Sequence, residues 1–90
     1  MAIGVYFHPA SMNKVQYDQA IHLLEQAGLG SPKGRLHHSC FGEGEHLMVF
    51  DIWDSQAAFE KFGETLIPIL ASIPLDPGKP EIMPIVNIIK

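Results

Sequence analysis

The chain carries a single cysteine, Cys40, so no disulfide can close within it. Cations are sparse as well: six Lys and Arg stand against ten Asp and Glu, a formal net charge of −4. Phosphate-backbone recognition needs a concentrated basic footprint. Lys14, Lys33, Arg35, Lys61, Lys79 and Lys90 are instead scattered, so no nucleic acid is expected as a partner. No apolar stretch approaches the roughly 20 residues of a membrane-spanning helix. The opening MAIGVYFHP has neither the basic segment nor the long apolar run of a signal peptide. A cytoplasmic protein without membrane association is the expectation. Charge of either sign is modest, 18% of residues against 47% hydrophobic. Ninety residues make one domain, 1–90, in which surface outweighs interior. That apolar surplus points to an interface with a second copy rather than to disorder.

Turn chemistry divides the chain cleanly. AIGVYFH (2–8) is a β-branched and aromatic run closed by Pro9, which predicts a strand. Asn13 and Gln16 stand at capping-box spacing, with Ser11 as the competing cap. Tyr17, Ala20, Ile21, Leu24 and Gly28 then recur at i, i+3, i+4, i+7, an amphipathic helix with Tyr17 on its buried face. GLGSPKG stops it. Residues 35–41 and 46–53 predict a hairpin turning at GEG, and Asp54 can cap a second helix with Phe59, Phe62, Leu66 and Leu70 on its apolar face. Pro68 lies inside that helix and should kink it, holding part of any pocket open. After the Pro-rich 74–80, EIMPIVNII reads as a last strand, and Pro84 confines it to a sheet edge or a bulge. The order β-α-β-β-α-β predicts an α+β, ferredoxin-like domain: a four-stranded antiparallel sheet with two helices on one face. Both faces of the hairpin strands are apolar, so the uncovered face calls for a homodimer through the sheet.

His37 and His38 are adjacent, and on a strand adjacent side chains point to opposite faces. A two-residue turn at Glu43-Gly44 pairs Cys40 with Leu47 and His38 with Val49. A turn one residue earlier shifts the register by two and keeps the faces. Either way His38, Leu36 and Cys40 share a face with Leu47, Val49, Asp51 and Trp53, while His37 goes with Ser39, Phe41, His46, Met48 and Phe50; a three-residue turn would break this assignment. Asp51 is then a diagonal neighbour of His38, within reach of a carboxylate–imidazole hydrogen bond. A histidine oriented by an aspartate beside a tryptophan in an apolar wall suits a small-molecule pocket. The same trio also suits a filled core with an internally satisfied pair.

Residue blocks across the whole chain resemble those of the dimeric α/β-barrel superfamily, and in particular small proteins related to antibiotic-biosynthesis monooxygenases. The blocks are GVYF near the start, Tyr17, the P-x-G-x-x-x-H of Pro32, Gly34 and His38, and the D-x-W-D-S-x-x-A-F-x-x-F from Asp51 to Phe62. The resemblance implies a cavity between sheet and helices and a dimer across the opposite sheet face. On that basis His38, Asp51 and Trp53 face the helices with Tyr17 looking back at them, and His37, Met48 and Phe50 face a partner. The cofactor-free monooxygenases of that group deprotonate electron-rich phenols and let the resulting carbanion meet oxygen. The heme-degrading relatives carry their ligating histidine on the second helix; here FEKFGETL has none, so no heme or other cofactor is expected.

Five histidines make neither H-x-H nor H-x-x-x-H and lack clustered carboxylates, so no metal site is expected. His8 could rim the pocket, or simply end its strand. The candidate site is therefore His38 as acid/base, Asp51 as its orienting partner, and Trp53, Tyr17 and His8 as substrate-binding groups. The ligand class is a small organic molecule, planar or aromatic. The readings are a cofactor-independent, monooxygenase-like enzyme, a non-catalytic metabolite-binding or stress-associated dimer, and a purely structural dimer with a filled core. A cavity of roughly 300 Å³ would favour the first two.

Overall fold

The computed structural model describes residues 1–90 and orders them as β1 (Ile3–Phe7), α1 (Lys14–Gln26), β2 (Arg35–Phe41), β3 (Met48–Trp53), α2 (Gln56–Ser72) and β4 (Glu81–Pro84). The four strands form one antiparallel sheet in the order β2-β3-β1-β4. β4 is an edge strand, as Pro84 requires, and it stops there rather than running through Ile89. Past Pro84 one hydrogen bond continues the pairing, from Ile85 N–H to Ala2 O at 2.9 Å. No helix is long and apolar enough to cross a membrane.

The capping box forms: Asn13 Oδ1 accepts from Gln16 N–H at 2.9 Å, and Gln16 Oε1 accepts from Asn13 N–H at 3.0 Å. Gly28, at φ 80°, ends α1, and Leu29 N–H closes back on Leu24 O at 2.8 Å while both leucines pack in one cluster. The cap of α2 is Ser55, not Asp54. Its hydroxyl accepts from Ala58 N–H at 3.1 Å, whereas Asp54 donates its own N–H to Gly34 O at 2.8 Å and is tied to the turn before β2. Gly34, at φ 95°, makes that approach possible: a Cβ there would lie 2.8 Å from Ala58 Cβ.

The hairpin is wider than a two-residue turn. Cys40 pairs with Val49 and His38 with Asp51, two residues beyond the simplest register, so the faces survive. Met12 explains the wider loop: its N–H bonds Glu45 O at 2.8 Å and its carbonyl accepts from Leu47 N–H at 3.1 Å. The expected alternation fails at Leu36. A bulge between Arg35 and His37 leaves Leu36 exposed and turns Arg35 to the His38 face.

Both helices cover the face of Ile3, Val5, Val49, Asp51 and Trp53. Leu24 and Phe62 pack on Ile3, Val5 and Trp53, while Ala20 and Leu70 pack with Met12, Val49 and Leu75. α2 runs unbroken through Pro68, which is exposed and outside the cavity its neighbours Leu66 and Leu70 line. The other face carries Tyr6, Phe41, Met48, Phe50 and Met83 with no helix over it. Only 15 of 90 residues are buried, a small interior for a chain so apolar.

Candidate functional site

β2 and β3 set His38 and Asp51 directly opposite one another, closer than the expected diagonal. His38 Nδ1 lies 2.6 Å from Asp51 Oδ1, and Trp53 Nε1–H donates to Asp51 Oδ2 at 3.3 Å. Asp51 is only 3% exposed, so its carboxylate depends on these two donors for solvation. From α1, Tyr17 brings its hydroxyl to 2.6 Å from His38 Nε2, the two rings nearly parallel. Because the carboxylate can only accept, the imidazole donates from Nδ1, and in the neutral ring Nε2 is then an acceptor for the Tyr17 O–H. The chain of donors therefore runs Tyr17 to His38 to Asp51, with Trp53 closing it from behind. No buried side-chain polar atom in the molecule lacks a partner.

Burial raises the Tyr17 pKa from its ordinary 10.0, with Cys40, Asp51 and Asp18 adding to the effect and Arg35 opposing it. Tyr17 is thus the protonated, donating member at neutral pH. A raised pKa means that the associated stability is fully present below the unfolded value and is lost as pH rises through the folded one. The unfolding midpoint should therefore fall more steeply above about pH 10 in the wild type than in Tyr17→Phe. The difference in tyrosinate absorbance between the two proteins should titrate above pH 10.0. A Tyr17-specific midpoint at or below that value would contradict the geometry. Cys40, half-buried on the same face, has its thiol pKa raised by burial first and Asp18 second, which keeps it in the unreactive form.

Tyr17, His38, Asp51 and Arg35 line one cavity between sheet and helices, otherwise walled mainly by apolar groups such as Phe7 and Leu66. Its volume is about 80 Å³. That falls below the roughly 300 Å³ typical of drug-sized ligands, and below the roughly 150 Å³ apolar cavity that admits benzene. Two expected members lie elsewhere. Trp53 is fully buried against Phe59 and Phe62 and borders no part of the cavity: the helix aromatics cover its ring, and it reaches the site only through its N–H on Asp51. His8 follows the alternation of β1 onto the open sheet face, where it stacks on Tyr6 and meets Glu81 at 3.1 Å. Arg35 is the member that strand alternation missed. No group of three or more His, Cys, Asp or Glu side chains is placed to hold a metal ion.

No protein-family model matches the chain, and no curated protein matches it in sequence. Its fold is that of the antibiotic-biosynthesis monooxygenase structures. A candidate antibiotic biosynthesis monooxygenase from Chloroflexus aurantiacus J-10-fl superposes with a TM-score of 0.70 at 16% identity, covering 100% of this chain and 98% of that one. SnoaB, a cofactor-independent oxygenase from Streptomyces nogalater, superposes at 0.64 with 12% identity over 97% of this chain and 94% of its own. Rv0793 from Mycobacterium tuberculosis superposes at 0.51 with 14% identity, over 99% and 95%. At these identities the likeness extends to the fold alone.

Proposed function

We propose that the chain binds a small planar molecule between sheet and helices and removes a proton from it, as a cofactor-independent, monooxygenase-like enzyme. The observation carrying this reading is the Tyr17–His38–Asp51 hydrogen-bond chain opening onto an apolar cavity. His38 Nε2 is occupied by Tyr17, so the acid/base group reaches its substrate through the phenol. A substrate O–H or acidic C–H gives its proton to Tyr17 Oη as the Tyr17 proton passes to Nε2. Asp51 then stabilises the imidazolium. An apolar wall raises the value of each of these contacts by excluding water. The fold-level likeness to a cofactor-independent oxygenase supports the absence of a required cofactor. In the same reading, the open sheet face of Tyr6, Met48 and Phe50 is the contact of a homodimer, which would give a chain with so few buried residues a second interior.

The test is a panel of small planar phenols and enolisable carbonyl compounds, graded in size up to hydroxynaphthalene, followed by oxygen uptake and absorbance. Turnover should fall about 10²- to 10⁴-fold in His38→Ala and in Tyr17→Phe. Turnover unchanged by His38→Ala would end the reading. The small cavity specifically favours a second one, a structural dimer with a filled core. Tyr17 and His38 resonances that shift with none of the compounds would support it.

A further inference from the structure

We infer that this cavity selects an anion: a short, enolisable oxo acid whose carboxylate is held by Arg35 while its acidic C–H faces Tyr17. The inference rests on the reading that the cavity takes a small molecule, and it names the class.

Arg35 reaches the cavity only because of the bulge at Leu36. Its guanidinium lies at the exposed rim, where Nη2 donates to Gly30 O at 3.2 Å and most of its five donors stay uncommitted. The ion pairs of the chain are His8–Glu81, Lys14–Asp18 and His38–Asp51, so no carboxylate neutralises Arg35. Asp51, the carboxylate of the same cavity, has one oxygen on His38 and the other on Trp53. The cavity thus has an unpaired planar cation at its rim and an acceptor-only carboxylate already engaged, within a mostly apolar wall. A guanidinium fork binds a carboxylate through two parallel, charge-assisted hydrogen bonds.

Size narrows the class. At about 80 Å³ the cavity is well below the roughly 150 Å³ that admits benzene. A fused-ring phenol exceeds it, whereas a carboxylate with a neighbouring carbonyl and methyl group matches its scale. With the carboxylate on Arg35, the carbon proton passes to Tyr17 Oη and the Tyr17 proton to His38 Nε2. The electron pair of the broken C–H bond moves to the carbonyl oxygen as an enolate. Return of the proton to that oxygen gives the enol and to carbon the starting acid, so no oxidant is consumed.

Pyruvate and its neutral amide, 2-oxopropanamide, are near-isosteric probes of this idea. Pyruvate is expected to bind about tenfold more tightly than the amide at low salt, on the scale of one charge-assisted contact. Binding is read from the Tyr17 and His38 resonances. Arg35→Gln should abolish the preference, Arg35→Lys should retain part of it, and added salt should weaken it. Deuterium exchange at the pyruvate methyl should be faster with the wild type than with Tyr17→Phe. Equal binding of acid and amide overturns the inference even if no Arg35 variant folds, as does a preference that survives Arg35→Gln. Binding of a neutral naphthol with none of pyruvate overturns it and leaves the proposed function standing. Binding of none of the probes overturns both.

Discussion

The wild type is expected to run as a dimer and Phe50→Glu as a folded monomer. Phe50 lies on the sheet face without helices, with the His37 ring tilted against it at 6.0 Å and Tyr6 opposite it across the strands. Phe41 and Met83 extend the same face and are respectively 46% and 63% exposed in the single chain. Burying a carboxylate there without a partner costs several kcal/mol, and about 3–5 kcal/mol raises a dissociation constant by some 10²- to 10⁴-fold. Light scattering after size exclusion measures both states. A wild type that is monomeric at micromolar concentration would remove the basis for the dimer. The site lies on the other side of the sheet, so the monomeric variant should retain the Tyr17–His38 hydrogen bond.

Trp53→Ala should cost about 3–5 kcal/mol, as large aromatic truncations in cores do. A domain of this size has about 5–15 kcal/mol in total. Trp53 is fully buried, with ring centroids 5.7 Å from Phe59 and 5.0 Å from Phe62. Its loss also strips Asp51 Oδ2 of its donor in a site 3% exposed, which adds an unsatisfied acceptor to the cavity left behind. Trp53→Phe separates the two effects. It restores most of the packing while leaving Oδ2 unpartnered, so its stability should fall between those of the wild type and the Ala variant. Urea unfolding gives both differences. A loss below about 1 kcal/mol for Trp53→Ala would contradict the placement of the ring in the core.

Strand alternation predicted which neighbours share a wall, and it put His38, Asp51 and Trp53 on one face and His37 and Phe50 on the other, as found. It tolerated the wrong turn because a two-residue slip does not change faces. The same rule, applied to β1, would have sent His8 to the open face with Tyr6. The capping box and the edge position of Pro84 were readable because each rests on the local chemistry of one or two residues. Arg35 was not readable, since a single extra residue in a strand leaves no mark in composition or period. Nor was the burial of Trp53: knowing its face does not say whether Phe59 and Phe62 will close over it. Cavity volume depends on how both helices settle on the sheet, which no local pattern records.

The sheet order gives the site two unlike foundations. Asp51 stands on β3, held by a strand on each side, whereas His38 and the bulge that aims Arg35 stand on β2, which has β3 on one side and nothing on the other. A margin strand accepts an inserted residue or an altered twist without disturbing the pairing of its inner neighbours. The buried acceptor is the invariant part of such a design, and the groups that meet a ligand are the editable part. New specificities could arise on this scaffold by respacing β2 alone, each insertion re-aiming a side chain into the cavity while the core beneath stays as it was.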